Sequence, residues 1–337
     1  MRDLPQLIGF GKPRYFAYQE MLCAHGSRGI GGCTRCLDAC ATGAIRSLGE
    51  RVQVDPYLCQ GCGSCATVCP SGAMAYAFPD ATDLLGVLRS AVDAYRGHQA
   101  PPPCILFHDD NAGAELLQAM ADELPERVLP VAVEEVGSVG PEAWTALLAF
   151  GVSDVLVLLP PAPEPSLAAA THAQRHVAGE VLEGIGLSAA RVRVVAGAAG
   201  LREALGELSE RAPRSLETHF SVSGSKREVW QRALFALADP PPPAFALSPG
   251  APFGAVAVER ACLHPLYGLC LGVPGGGVEQ RGLQPAAAFR RGPLRTVRDL
   301  RSGPVRRTPS PWRRAWMSMP RPPPSPGCST RSGRSTA

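Results

Sequence analysis

The apolar positions of the chain keep two different patterns on either side of residue 101. In "PDATDLLGVLRSAVDAYRGH", residues 79–98, they recur three and four apart. That spacing predicts a helix with one buried stripe, expected to pack on the segment before it. Three prolines at 101–103 then mark a boundary. Beyond them, short unbroken apolar runs alternate with longer helical patterns. "CILFH", "RVLPVAV", "DVLVLLP" and "RVRVVA" predict strands. "AGAELLQAMADEL", "GPEAWTALLAFG", "SLAAATHAQRHVAGEVLEGIG" and "GLREALGELSER" predict helices. Strands that are apolar on both faces and alternate with helices predict a parallel sheet covered on both sides. Residues 101–212 are therefore assigned to a small α/β doubly wound parallel-sheet domain.

The remaining segments divide by composition. Residues 1–19 read as an N-terminal extension, 20–80 as an α+β cysteine-rich module and 81–100 as a connecting helix. Residues 213–261 read as a helix and linker, and 262–337 as a basic, Pro/Arg-rich disordered tail. A chain of 337 residues with 45% apolar content has room for two or three domains and a real core. No stretch is long and apolar enough to span a membrane. The start, "MRDLPQLIGFGKPRYF", lacks the basic-then-apolar layout of a signal peptide, so a cytoplasmic location is expected.

The formal charge of +3 hides two opposite parts. Thirteen arginines and only two acids, Glu279 and Asp299, follow Cys262, which leaves residues 1–261 at a net −8. A basic tail often marks nucleic-acid binding. No nucleic-acid partner is expected, because the tail has another explanation.

The twelve cysteines change the picture most. In a reducing compartment, clustered cysteines point to metal rather than disulfides. "CQGCGSCATVCP" sets Cys59, Cys62, Cys65 and Cys69 at C-x2-C-x2-C-x3-C with Pro70 after them. This is the bacterial run for a [4Fe–4S] cluster. Three thiolates on one tight loop can each take an iron corner, and Gly61 and Gly63 let the backbone wrap closely around them. Zinc also takes four cysteines, but its sites usually pair two C-x2-C units across a longer spacer. Upstream, Cys33, Cys36 and Cys40 repeat the second to fourth positions of the run. The first position falls on Ile30, which cannot ligate. Cys23 is the natural substitute across a Gly-rich insert, with His25 the weaker candidate. Ala41 replaces the proline expected after Cys40. "ATGAI" and "PSGAM" then match each other, so the two halves form a tandem duplication, each ending in a short strand.

Residues 20–80 resemble the two-[4Fe–4S] ferredoxin family. In that family the fourth cysteine of each run binds the other cluster. The resemblance implies one cluster on Cys33, Cys36, Cys69 and Cys23, and another on Cys59, Cys62, Cys65 and Cys40. It implies one-electron transfer, with metal binding coupled to folding.

The α/β domain lacks a phosphate-binding glycine loop. His108, Asp109 and Asp110 follow its first strand, where they can cap the next helix or bind a metal; capping is expected. Glu134 and Glu135 follow the second strand as loop acids facing a partner, and Cys104 is expected to be a buried, inert core residue. "VLPVAVEEVGSVGPEAWTALLAFGVSDVLVLLP" and "VLEGIGLSAARVRVV" resemble the delta-subunit domain of methyl-viologen-reducing hydrogenase, which implies an electron-transfer adaptor. That family carries cysteines for a [2Fe–2S] centre where this chain has Glu134, Glu135, Pro160 and Pro161, so no third cluster is carried over. The full layout, with "SGSKREVWQRALFALA" and "LSPGAPFGAVAVER", resembles bacterial 4Fe–4S binding proteins associated with formate dehydrogenase systems.

These readings lead to an iron–sulfur electron-transfer protein with two [4Fe–4S] clusters, a subunit or accessory of a cytoplasmic redox complex with a redox-protein partner, rather than an enzyme in itself. The alternative is an oxidoreductase whose active site lies in the α/β domain and is fed by the clusters, but no cofactor motif or acid–base pair supports it. A structural or DNA-binding protein stapled by its clusters is a third class, which predicts clusters that do not cycle.

The tail reads as an out-of-frame translation from about Cys262. It has no Lys, Ile or Asn and no periodicity. Read one base later, the codons of "CLHPLYGLCLGVPGGGV" permit A-C-T-L-C-M-A-C-A-W-G-C-P-E-G-A-L. The four permitted cysteines arise at Leu263, Leu266, Leu269 and Val273, again at C-x2-C-x2-C-x3-C and followed by proline. On this reading Cys262, Cys270 and Cys328 ligate nothing. The other reading is a disordered basic tail, as the composition alone implies.

Overall fold

A computed structural model describes residues 14–26, 32–77, 80–96, 101–210, 212, 220–238 and 242–253. All of them belong to one compact unit, Met1–Gly292. The tail from Cys262, with its cysteines and the strand-like "GAVAVER" before it, lies outside the described residues.

The first part is built from two short antiparallel strand pairs and two short helices. Strand β1 (Phe16–Tyr18) pairs antiparallel with β4 (Met74–Tyr76), Phe16 opposite Tyr76 and Tyr18 opposite Met74. Strand β2 (Ile45–Ser47) pairs antiparallel with β3 (Val52–Val54). Helix α1 (Arg35–Asp38) precedes β2 and helix α2 (Ser64–Val68) precedes β4, so each cysteine run leads through one helical turn into one strand. Strand β1 corrects the expected boundary: residues 16–18, assigned to the extension, complete a sheet of this module. The core is small. Ile45, Val52, Ala73 and Met74 are buried together with the thiols of Cys65 and Cys69. A core this thin needs a staple, and metal binding is one that small modules use.

The second part is a four-stranded parallel sheet in the order β6-β5-β7-β8. Its strands are β5 (Cys104–Asp109), β6 (Val128–Val133), β7 (Asp154–Leu159) and β8 (Val192–Ala196). Every residue of β5 and β7 is buried, as expected for central strands covered on both faces. Pro130 sits on β6, an edge strand, where a missing N–H is tolerated.

Alternate residues feed two cores. Cys104, Leu106, Leu156 and Leu158 pack with Leu117 of α4 (Ala112–Ala119) and Leu201 of α7 (Gly197–Gly206). Ile105, Phe107, Val155 and Val157 face the larger core with Trp144 of α5 (Pro141–Ala149) and Leu182 of α6 (Pro165–Gly184).

Helix α3 (Ala81–Arg96) corrects another expectation. Its stripe Leu85, Leu88 and Val92 joins that larger core instead of closing on the cysteine module. Arg96 donates to the carbonyl of Phe150 at 3.3 Å, which fixes the end of α3 to the end of α5. Helix α8 (Lys226–Leu237) covers the same face through Val229, Ala233 and Leu237. A capping box starts it: Ser225 Oγ accepts from the Glu228 N–H, and the Glu228 carboxylate accepts from the Ser225 N–H at 2.8 Å.

The strand order reverses between β5 and β7, which marks the place where open α/β sheets take ligands. Here a 3₁₀ turn, Val136–Ser138, packs against the ends of both strands. Helix α2 of the cysteine module lies on that turn and on α6. Thr67 Oγ1 donates to the carbonyl of Gly137.

Candidate metal centre

Eight thiols line two cavities. Cys40, Cys59, Cys62 and Cys65 line one. Cys23, Cys33, Cys36 and Cys69 line the other. Each cavity thus takes three cysteines from one half of the duplication and one from the other. The crossing has a local cause. Helix α2 carries Cys65 on its first turn and ends at Cys69, so the chain leaves one cavity and reaches the other within four residues. Helix α1 does the same between Cys36 and Cys40.

The loop between Cys59 and Cys65 needs its glycines. Gly61 and Gly63 both hold left-handed backbone, φ 80° and 83°, where a side chain is strained. A Cβ on Gly61 would press on the Tyr15 ring at 3.2 Å.

One backbone N–H and three hydroxyls lie beside the sulfurs. The Met74 N–H donates to Cys69 Sγ at 3.4 Å. Cys62 lies 3.4 Å from Ser64 Oγ, Cys40 3.6 Å from Thr42 Oγ1 and Cys69 3.8 Å from Ser71 Oγ. Such bonds stabilise thiolate charge around a cluster.

The electrostatics of the thiols are coupled within and across the two sets. Burial pushes the Cys36 thiol up to about 11, and nearby Cys69, Cys33 and Cys23 add to the shift. Burial pushes Cys65 up still further, helped by Cys62, Cys59, Cys36 and Cys40. A bound cation would offset the charge on the Cys36 and Cys65 thiolates and favour their deprotonation. Each cavity is lined by four cysteines. Among the described residues, no three His, Cys, Asp or Glu side chains come together closely enough to hold one metal ion. Four thiols per cavity, three of them from one cysteine run, are the all-cysteine donor set that a [4Fe–4S] cluster takes.

His25 is buried beside Cys23 but turned to other tasks. Its Nδ1 lies 2.9 Å from the Cys33 carbonyl and its Nε2 lies 2.7 Å from Ser47 Oγ. One ring nitrogen thus engages Cys33 and the other engages β2. In the α/β domain, Asp109 caps α4: its carboxylate accepts from the N–H groups of Asn111 at 2.9 Å and Gly113 at 3.2 Å. The Nδ1 of His108 turns to the Asp109 carbonyl at 2.9 Å, and Asp110 is exposed. Cys104 is fully buried, and burial raises its thiol far above the ordinary range. Glu134 is exposed. Glu135 is half-buried, and burial, then Asp109 and Glu134, holds its carboxyl above the ordinary value.

Three features of the site carry no sequence signal. Glu164, the cap of α6, also lines the cavity of Cys59, Cys62 and Cys65, so the α/β domain reaches one thiol set directly. Lys226 sends its ammonium to the carbonyls of Ala66 at 2.9 Å and Thr67 at 2.8 Å, between the two sets. A groove of about 530 Å³, flanked by Arg14 and Arg51, lies beside both cavities. Phe16, Val54 and Cys59 form its wall toward one, and Tyr18 and Val52 its wall toward the other.

Comparison with known proteins bears on this part of the chain. Residues 31–73 match the family model of the 4Fe-4S dicluster domain. The matched segment contains seven of the eight cavity cysteines and begins after Cys23. Over 88 residues the chain is 31% identical to a protein of Escherichia coli (strain K12) named "Putative oxidoreductase AegA". That match covers 26% of this chain and 13% of the length of the E. coli protein. The N-terminal part is thus a ferredoxin-type dicluster domain, and the chain has the equipment for iron–sulfur electron transfer. Among the described residues, no helix is long and apolar enough to cross a membrane.

Proposed function

We propose that this protein carries two [4Fe–4S] clusters and relays single electrons as a subunit or accessory of a larger redox complex. One cluster is held by Cys23, Cys33, Cys36 and Cys69, the other by Cys40, Cys59, Cys62 and Cys65. The observation that carries the reading is the sorting of eight thiols into two cavities of four, each fed by both halves of the duplication. When bound, the clusters supply reversible one-electron chemistry. The chain's own residues ligate them, donate hydrogen bonds to their sulfurs and exclude water from Cys59, Cys65 and Cys69, which are buried. Phe16 and Val54 line both the groove and one thiol cavity, Tyr18 and Val52 line both the groove and the other, and Cys59 itself reaches the groove wall, so the groove is the route by which a partner's redox centre approaches.

The α/β domain serves as a docking scaffold, in keeping with its likeness to the hydrogenase delta-subunit domain. Its switch point is filled by Val136–Ser138 with α2 against it, which argues for a fixed platform over a nucleotide site. The layout of the chain makes a formate-dehydrogenase-type complex the first partner to test.

The decisive experiment is anaerobic reconstitution of the full chain, followed by absorption and EPR spectra before and after dithionite. Bleaching of the iron–sulfur absorption and the appearance of EPR signals are expected. Clusters that bind but do not change with reductant would leave only a stapling role. Tight, saturable binding of NAD, FAD or FMN would move the reading to an oxidoreductase with its own active site.

A further inference from the structure

Lys226 is placed against its own interests. It is the first residue of α8, the helix end at which a cation is unfavourable. Its side chain is only 12% exposed, and burying an ammonium is costly unless it is bonded. The bonds come from a different part of the chain. Nζ donates to the carbonyls of Ala66 and Thr67, in the last turn of α2, the end at which a cation is favourable. Glu142, at the start of α5, faces the same ammonium at 3.5 Å and is 8% exposed. Gly72 leaves room for this approach, since a Cβ there would stand 2.8 Å from the Lys226 Cβ.

Helix α2 is also the segment shared by the two thiol sets. Cys65 lines one cavity and Cys69 lines the other, with Ala66 and Thr67 between them. The scaffold thus delivers one buried positive charge, and one partly offsetting negative charge, to the bridge between the sites.

We propose that Lys226 sets the reduction potential of the clusters, holding it higher than the dicluster domain alone would give. The proposal rests on the cluster reading above. Reduction adds one negative charge to a cluster, and a buried cation nearby stabilises the reduced form. Net charge around the cluster is one of the levers that fix such potentials. Water screens the pair little at this depth, so the effect is larger than for a surface lysine. Lys226 acts through the field and through α2, and is a positioning and tuning residue instead of a ligand. Glu142 opposes it, so the pair fixes the potential by difference.

The test is an EPR-monitored redox titration of the reconstituted full chain, with iron and sulfide counted in each sample. Lys226→Met should lower the midpoint of at least one cluster by a tenfold change in its reduced-to-oxidised ratio, about 59 mV for one electron. Lys226→Arg should keep the wild-type value, and Glu142→Gln should raise it. Unchanged midpoints in a Lys226→Met protein that holds its clusters overturn the proposal. If Lys226→Met loses its clusters, Glu142→Gln decides, because it leaves both ammonium–carbonyl bonds in place. An upward shift supports the proposal and an unmoved midpoint overturns it. A wild-type chain that takes up no iron overturns the cluster reading and this proposal together, whereas full iron with unmoved potentials overturns this proposal alone.

Discussion

Gly63 and Gly137 meet backbone to backbone: a Cβ on Gly63 would fall 2.4 Å from the carbonyl carbon of Gly137, and one on Gly137 would fall 2.5 Å from the Cys62 carbonyl oxygen. No side chain fits between them. The contact presses the thiol loop onto the 3₁₀ turn that fills the switch point of the sheet, and the bond from Thr67 to Gly137 holds it there. Two parts of the chain more than seventy residues apart are therefore fitted at the level of main chain.

Gly137→Ala should accordingly lower stability by about 1–3 kcal/mol, the usual cost of overpacking a closed contact. Gly63→Ala should lower it further, because φ at Gly63 is also left-handed. Gly86, in the middle of α3, has nothing within 4 Å of its Cβ position. Gly86→Ala should instead gain about 0.5–1 kcal/mol. Thermal unfolding of the three variants checks the contrast. Equal effects at Gly137 and Gly86 would show that the docking contact is loose.

Cys23 and His25 separate cleanly by experiment. Cys23 lines the cavity with three other thiols, while both His25 nitrogens are engaged by Cys33 and Ser47. Wild type should reconstitute with about eight iron and eight sulfide, two cubanes' worth. Cys23→Ser should lose or convert one cluster, and His25→Ala should keep both with reduced stability. Loss of iron in His25→Ala with full iron in Cys23→Ser would reverse the assignment. A firm four and four in wild type would mean that the upstream run binds nothing.

The acids behind the docking face give a pH signature. Burial, then Asp109 and Glu134, holds the Glu135 carboxyl above its ordinary value in the folded chain. The folded state then keeps the proton more readily than the unfolded one. The associated stability is full below the unfolded pKa and is lost as pH rises through the folded value. Glu135→Gln removes that loss. It should melt higher than wild type at neutral pH, with the gap closing toward pH 4. A gap that stays constant between pH 4 and 7 would show that Glu135 carries no such penalty.

How far the sequence reached depends on distance along the chain. The strands β5 to β8 and their helices follow from local period, because a strand buried on both faces has to read as a solid apolar run. The cysteine spacing likewise fixes which thiols share a loop. The stripe Leu85, Leu88 and Val92 announced a buried face but not its partner, since periodicity carries no address, and the face turned to the α/β core. Strand β1 was hidden for a related reason: three residues, "FAY", are too few to show alternation, and β1 exists through its pairing with β4. The helical pattern "AGAELLQAMADEL" ends early, at Ala119, with a 3₁₀ turn Ala121–Glu123 beyond it. Asp122 and Glu123 are acids at a helix C-terminus, the wrong end for them, and Glu123 instead pairs with Arg202 at 2.6 Å. In the sequence Lys226 is one polar residue of "SGSKREVWQRALFALA", with nothing to mark it. Its true partners, Ala66 and Thr67, lie about 160 residues away and offer backbone oxygens, which no sequence pattern displays.

The stretch "CLHPLYGLCLGVPGGG", outside the described residues, sets the last prediction. If the chain leaves its frame near Cys262, the DNA across codons 255–280 should read TGC or TGT one base later at Leu263, Leu266, Leu269 and Val273. Those codons would place a further C-x2-C-x2-C-x3-C run, followed by proline, in a protein already built on two such runs. The composition supports the shift: arginine replaces lysine entirely after Cys262, and isoleucine and asparagine vanish. Sequencing the gene reads the codons directly, and a lack of cysteine codons at the four places ends the idea and leaves a disordered basic tail. The chemistry gives an independent check. The chain as it stands should hold about eight iron, because Cys262, Cys270 and Cys328 lack ligand spacing, while a gene restored to the alternative frame should add about four more.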